Sequence, residues 1–173
     1  KDLKVGSPLK KIISGGQRKR LNVALELIRE PAILFTDEPT SGLSSTDSEK
    51  VMLLLKQQAR KGKLIVVNIH QPSSAIFKLF DKLWIMDSGG RPIYTGNPLD
   101  AIIYFKNEVH HVNAEICECT VCGNVNPEQV LEIVETKKID NSGKFLSERR
   151  FTAEYWYDQY RKNAKVKKEE IQG

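Results

Sequence analysis

The sequence predicts an α/β fold, a parallel-sheet fragment followed by a β-hairpin and a C-terminal helical extension. Three observations predict it. The helix start Ser14-Gly15-Gly16-Gln17 leads into a short apolar run, Ala32-Ile33-Leu34-Phe35-Thr36, that ends in the carboxylate pair Asp37-Glu38. A helical segment separates that run from a second apolar run, residues 63–69, that ends at His70. Finally, Ser88-Gly89-Gly90 between Lys82–Asp87 and Arg91–Thr95 is a hairpin signal.

Each element follows from local chemistry. Ser14 can cap a helix over 14–29, and Gln17 three residues on completes a capping box. Leu21, Ala24, Leu25 and Ile28 supply its apolar stripe, and Pro31 stops it. Residues 32–36 are a strand. Thr46-x-x-Glu49 is a second capping box, opening a helix to about Arg60 with Met52, Leu55 and Ala59 inward and Gly62 beyond its end. Residues 63–69 do not alternate, as expected of a strand covered on both faces. Strand, helix and strand make a right-handed parallel crossover. After the hairpin, Asn97-Pro98 opens a helix to about Phe105, residues 106–126 are irregular, and Pro127 starts a short helix to about Glu135. Lys137–Lys144 reads as a polar loop, and Phe151–Lys168 as a last helix. The change of pattern suggests two parts, 1–105 and 106–173.

Composition bounds the answer. At 173 residues and 40% apolar content, the chain can build one ordinary core. Its longest apolar runs, Val51–Leu55 and Leu64–Val67, are far short of the ~20 residues that span a bilayer. The chain opens on Lys1-Asp2-Leu3-Lys4, with neither Met nor leader pattern, which predicts a piece of a longer protein. The net charge of +5 gathers at the ends: residues 1–20 hold seven Lys or Arg against one Asp, and residues 161–173 hold five against two acids. Such ends suit nucleic acid or an anionic membrane surface, but a solvated charged face is the commoner meaning. Three cysteines, at 117, 119 and 122, do not make a secreted disulfide framework and fit a reducing cytosol.

The motifs carry chemistry. A helix start presents unpaired N–H groups and the positive end of the helix dipole, both favourable to phosphate. Gly15 and Gly16 remove the Cβ atoms that would hold a phosphate away, and Ser14 adds a hydroxyl. Asp37 and Glu38 lie at the carboxyl end of a strand, the edge where open α/β sheets bind ligands. An Asp there suits Mg²⁺, directly or through water, and a Glu beside it can orient or deprotonate an attacking water. His70, at the end of the next strand, is expected on the same edge, where it can hydrogen-bond a γ-phosphate.

Together, Ser14-Gly15-Gly16-Gln17-Arg18-Lys19-Arg20-Leu21, Asp37-Glu38-Pro39-Thr40-Ser41-Gly42-Leu43 and Ile69-His70-Gln71-Pro72-Ser73-Ser74 resemble the signature, Walker B and switch-histidine motifs of ATP-binding cassette (ABC) ATPases, and within them the G-type, pleiotropic-drug-resistance-like subfamily. The resemblance continues through Phe80–Leu83, Gly90–Gly96 and Tyr104-Phe105 and thins after residue 106. It implies a P-loop NTPase-like sheet fragment, and an ATPase subunit of a membrane transporter, an exporter, at the cytoplasmic face of the membrane. It implies ATP and Mg²⁺ as ligands. The implied partners are a second nucleotide-binding domain, paired head to tail, and a transmembrane domain, with no nucleic acid. Ser14, Gly15, Gly16 and Gln17 would serve the opposing subunit's ATP; Asp37, Glu38 and His70 would serve the chain's own, as Mg²⁺ helper, water activator and γ-phosphate reader. Two departures stand out. No G-x-x-x-x-G-K-[ST] run occurs in the 173 residues, so the chain resembles the C-terminal part of a nucleotide domain and is expected to be inactive alone. The subfamily's S-G-L-D reads Ser41-Gly42-Leu43-Ser44 here, with Asp47 nearby as a partial substitute.

Two other readings stay open. A soluble ABC-type ATPase acting on ribosomes or DNA shares the signature and Walker B wording. Alternatively, residues 106–173 form a metal-binding interaction module: Cys117, Cys119 and Cys122, with His110 or His111, offer four tetrahedral Zn²⁺ ligands. The second pair of a zinc ribbon is missing, and three reduced thiols in a loop are the plainer meaning.

Overall fold

The computed structural model describes residues 13–172 together with Gly6–Ser7 and Lys10–Lys11, and side chains over 13–164. Most of the basic residues at the two ends therefore lie outside the described side chains. The chain forms two units, Lys1–Leu79 and Phe80–Gly173. Residue 106, where the sequence pattern changes, lies inside the second.

The first unit opens with a two-residue antiparallel pair, β1 (Gly6–Ser7) and β2 (Lys10–Lys11), which the sequence reading did not anticipate. Helix α1 (Gly15–Leu27) follows. Its capping box forms as expected: Ser14 Oγ accepts from Gln17 N at 3.2 Å, and Gln17 Oε1 accepts from Ser14 N at 2.8 Å. Its buried face differs from the expected stripe. Gly16 and Val23 are buried, whereas Leu25 and Ile28 are 53% and 74% exposed. The physical reason is its neighbour: α1 packs on α2 (Ser45–Arg60) along the row that holds Gly16, Arg20 and Val23, spaced by four and three residues.

Strand β3 (Ile33–Asp37) pairs in parallel with β4 (Leu64–Asn68), from Ile33 opposite Leu64 to Asp37 opposite Asn68. The crossover is α2, whose Val51, Met52 and Leu55 are buried, while Ala59 is half-buried. Its cap lies two residues before the expected Thr46: Ser44 Oγ accepts from Asp47 N at 3.2 Å. The sheet is not covered on both faces. Leu34 is buried, but Ile33, Phe35 and Leu64 are 52%, 75% and 56% exposed: among the described residues β3 and β4 pair with each other alone, and the helices shield one side. A single turn, α3 (Ser74–Phe77), ends the unit, capped by Ser73 and anchored by buried Ile76 and Phe77.

The second unit begins with the expected hairpin, β5 (Leu83–Asp87) and β6 (Arg91–Gly96), antiparallel with a register shift after Ile85. Gly89 and Gly90 take the turn at φ 77° and 70°, which a side chain would disfavour. Asn97 caps α4 (Pro98–Glu108), with Pro98 in its first turn as the sequence indicated. An irregular stretch leads to α5 (Glu128–Val134). The stretch expected as a polar loop contributes instead to a second hairpin, β7 (Lys137–Ile139) with β8 (Phe145–Arg149). Asp140 makes the turn: its Oδ1 accepts from Ser142 N, Ser142 Oγ and Lys144 N at 2.8, 2.6 and 2.9 Å, and these bonds hold the carboxyl below the usual range. Helix α6 (Ala153–Gln172) closes the unit. Phe105 of α4 meets Trp156 of α6 edge to face at 5.2 Å, and both are fully buried with Ile93 and Ile102.

One ion-pair cluster ties this unit together. Asp87, at the end of β5, has a side chain 4% exposed, and Arg149 Nη1 donates to it at 2.7 Å. Arg149 Nη2 reaches Glu135, just after α5, at 3.2 Å. Arg149→Ala is expected to lower unfolding free energy by about 3 kcal/mol, the low end for a buried carboxylate that loses its cation. Chemical denaturation of the chain measures this; a change below about 1 kcal/mol would show the pair to be no more than a surface contact.

Candidate functional site

The carboxyl ends of β3 and β4 build the site. Glu38 follows β3 in the left-handed region, φ 41°, an uncommon state for a residue with a side chain. Its backbone is held on two sides: its N–H donates to Asn68 O of β4 at 2.9 Å, and its carbonyl accepts from Lys19 Nζ of α1 at 3.2 Å. Gln71, beside His70, is left-handed as well, φ 45°. Between these two kinks lies a cavity of about 290 Å³, lined by Glu38, Thr40, Ser41, Ser48, His70 and Gln71 among others. Glu38 and His70 thus come from adjacent parallel strands onto one cavity. Both are exposed, so each can reach a ligand.

Asp37 sits differently. Asp37, the last residue of β3, lines a groove with Lys19 and Val23 of α1, and the left-handed turn at Glu38 carries the chain on to the cavity of Glu38 and His70. Asn68 Nδ2 donates to its Oδ1 at 2.7 Å, fixing the carboxylate. Neither Asn68 nor Lys19 was singled out from sequence. Asn68 could have been found from its place opposite Asp37 in a parallel register; Lys19 carries no local signal.

The Ser14-Gly15-Gly16-Gln17 corner forms as a capped helix start, with the Ser14 and Gln17 side chains engaged with each other's backbone. The cysteines do not gather as the zinc reading expected. Among the described residues no three His, Cys, Asp or Glu side chains form a group that could hold a metal ion, so Cys117 does not join Cys119, Cys122 and a histidine in a tetrahedral set. Nor is any described helix long and apolar enough to cross a membrane.

No family model matches the chain. Curated relatives do. It is 48% identical over 104 residues, 60% of its length, to the broad substrate specificity ATP-binding cassette transporter ABCG2 of Bos taurus. It is 43% identical over 103 residues, again 60% of its length, to ABC transporter G family member 14 of Arabidopsis thaliana. Its homologues are ABC transporters of the G family. Protein white of Drosophila melanogaster extends the match, 41% identical over 133 residues and 75% of the chain. The chain spans only 16 to 18% of the length of these three relatives. Among solved structures, it is similar to cbiO1 of Clostridium perfringens, part of the ABC transporter complex cbiONQ, with a TM-score of 0.46 and 34% identity over 56% of this chain and 38% of that one.

The departure from the G-family wording at Ser44 has a structural counterpart. Ser44 caps α2, and the carboxylate in this region is Asp47, which accepts from Arg20 Nη1 of α1 at 3.0 Å. The Arg20 guanidinium holds the Asp47 carboxyl below its ordinary range, against a smaller opposing effect of burial. Asp47 also lies under the signature-like helix start: a Cβ on Gly16 would stand 2.6 Å from Asp47 Cγ. Gly16→Ala is therefore expected to push Asp47 from Arg20 and destabilise the fold by about 1–3 kcal/mol, the usual cost of overpacking. Thermal unfolding of the chain tests this, and an unchanged midpoint would mean that Asp47 moves aside freely.

Proposed function

We propose that this chain is the signature-to-switch part of the nucleotide-binding domain of a G-family ABC transporter, coupling ATP hydrolysis to substrate export. The observation that carries this reading is the meeting of Glu38 and His70 on one cavity at the carboxyl edge of β3 and β4. A pocket of this size, at the lower end of the ~300–1,000 Å³ typical of ligand sites, suits the phosphate end of a nucleotide better than the whole of it.

In this reading Glu38 accepts the proton of a water whose oxygen attacks the γ-phosphorus as the bond to the leaving ADP breaks. His70 donates a hydrogen bond to a γ-phosphate oxygen. Asp37, an exposed carboxylate steadied by Asn68, opens on the neighbouring groove and not on this cavity, so it would serve Mg²⁺ only through bridging water; when bound, that ion would neutralise phosphate charge. Ser14, Gly15, Gly16 and Gln17 meet the ATP of a second nucleotide-binding domain paired head to tail. The remaining partner is a transmembrane domain, which places the chain at the cytoplasmic face of a membrane. Names of G-family transporters among the relatives support the transporter reading over a soluble ATPase.

The test is His70→Ala in the full-length protein. ATP binding should persist and turnover should fall about tenfold to a hundredfold, the worth of a hydrogen bond to a charged group, about 1.5–3 kcal/mol. Unchanged turnover would remove His70 from the site and leave the shared cavity without a catalytic role.

A further inference from the structure

The cassette reading leaves the cysteine segment between α4 and α5 without a role. That segment is organised. Gly123 N donates to Cys119 O and Cys119 N to Asn124 O, each at 2.8 Å, and Glu118 and Val125 form an antiparallel bridge below the turn. Gly123 takes φ 69°, which lets the chain reverse. Cys119 and Cys122 are thus three residues apart inside the single turn that the Cys119 O–Gly123 N bond closes, a spacing compatible with the ~4.4–6.8 Å between Cα atoms that a disulfide spans. Both side chains are exposed, while Cys117 is half-buried.

We propose that Cys119 and Cys122 are a redox-active dithiol that exchanges with low-molecular-weight disulfides. Cys119 is the attacking group. Its sulfur faces the backbone N–H groups of Cys122 and Val121 and the Cys122 thiol inside the turn, donors placed to favour a thiolate there. The thiolate attacks one sulfur of the small disulfide, the S–S bond breaks, and one small thiolate leaves. Cys122, on losing its proton, attacks Cys119 in the mixed disulfide and expels the second. Two electrons pass from the dithiol to the small disulfide, and the protons lost by the two cysteines are taken up by the departing thiolates.

The test uses the 173-residue chain and oxidised glutathione at neutral pH, with alkylation of remaining thiols and peptide mass spectrometry. The expected product is an internal Cys119–Cys122 disulfide, two hydrogens lighter, with Cys117 alkylated. Cys122→Ser should accumulate glutathione on Cys119 at least tenfold above the unaltered chain, and Cys117→Ser should leave the exchange intact, which separates chemistry from misfolding. Glutathione spread evenly over the three cysteines, a bond from Cys117, disulfides between chains, or a bound zinc ion protecting all three thiols would each overturn the assignment.

Discussion

Glu38→Gln in the full-length protein is expected to leave ATP binding nearly intact and to cut turnover by ~10²–10⁴, the range for a lost general base. Glutamine matches the shape of glutamate but cannot accept a proton from water at neutral pH. The substitution leaves the surroundings in place, since the left-handed backbone of residue 38 is fixed through its own N–H to Asn68 and its own carbonyl to Lys19, not through the carboxylate. The cavity should therefore keep its shape, and the loss should appear in turnover rather than in nucleotide affinity. Single-turnover hydrolysis beside equilibrium ATP binding separates the two. Wild-type turnover in the Gln variant would take Glu38 out of the mechanism, and a parallel loss of binding would make it a ligand-holding group.

What could be read from the sequence was what short-range chemistry decides. The Ser14–Gln17 box, the Asn97-Pro98 helix start and the Ser88-Gly89-Gly90 turn each depend on residues within four positions of one another, and each formed. Pairing of the two apolar runs was legible because a helix between strands calls for a parallel crossover. Glu38 and His70 share a cavity for the same reason. Partner-dependent features were not legible. The buried face of α1 is chosen by α2, so Val23 is buried and Leu25 is not. Ser44 and Thr46 can both cap a helix, and chain geometry chose Ser44. Strands β7 and β8 carry no apolar face toward the core; the Asp140 turn holds them, and a polar composition hid it. The split between Asp37 and Glu38 was not legible either: it rests on the left-handed backbone of Glu38 just past the strand end, which two adjacent carboxylates do not announce.

Gly15→Asp in the full-length protein is expected to abolish ATP-driven dimerisation and to lower hydrolysis by roughly 10²–10³, the worth of several kcal/mol of like-charge contact across an interface. The helix start at Gly15 precedes the Asp37-Glu38 strand, has no P-loop Lys and does not line the cavity of Glu38 and His70. In the proposed head-to-tail pairing, it meets the phosphate of a second subunit instead. Residue 15 has room for a side chain. A Cβ there would meet Leu43 Cδ2 at 3.6 Å and Gly42 O at 3.8 Å, ordinary contact distances, whereas one at residue 16 would strike Asp47. Gly15→Ala should accordingly fold and dimerise nearly as the unaltered protein does. Binding of ATP to the separate full-length domain should survive Gly15→Asp, because that domain's own loop and strands hold the nucleotide. Light scattering with and without ATP, beside nucleotide binding, reads all three states. A Gly15→Asp domain that still dimerises on ATP and hydrolyses at the normal rate would end the cross-subunit role of this helix.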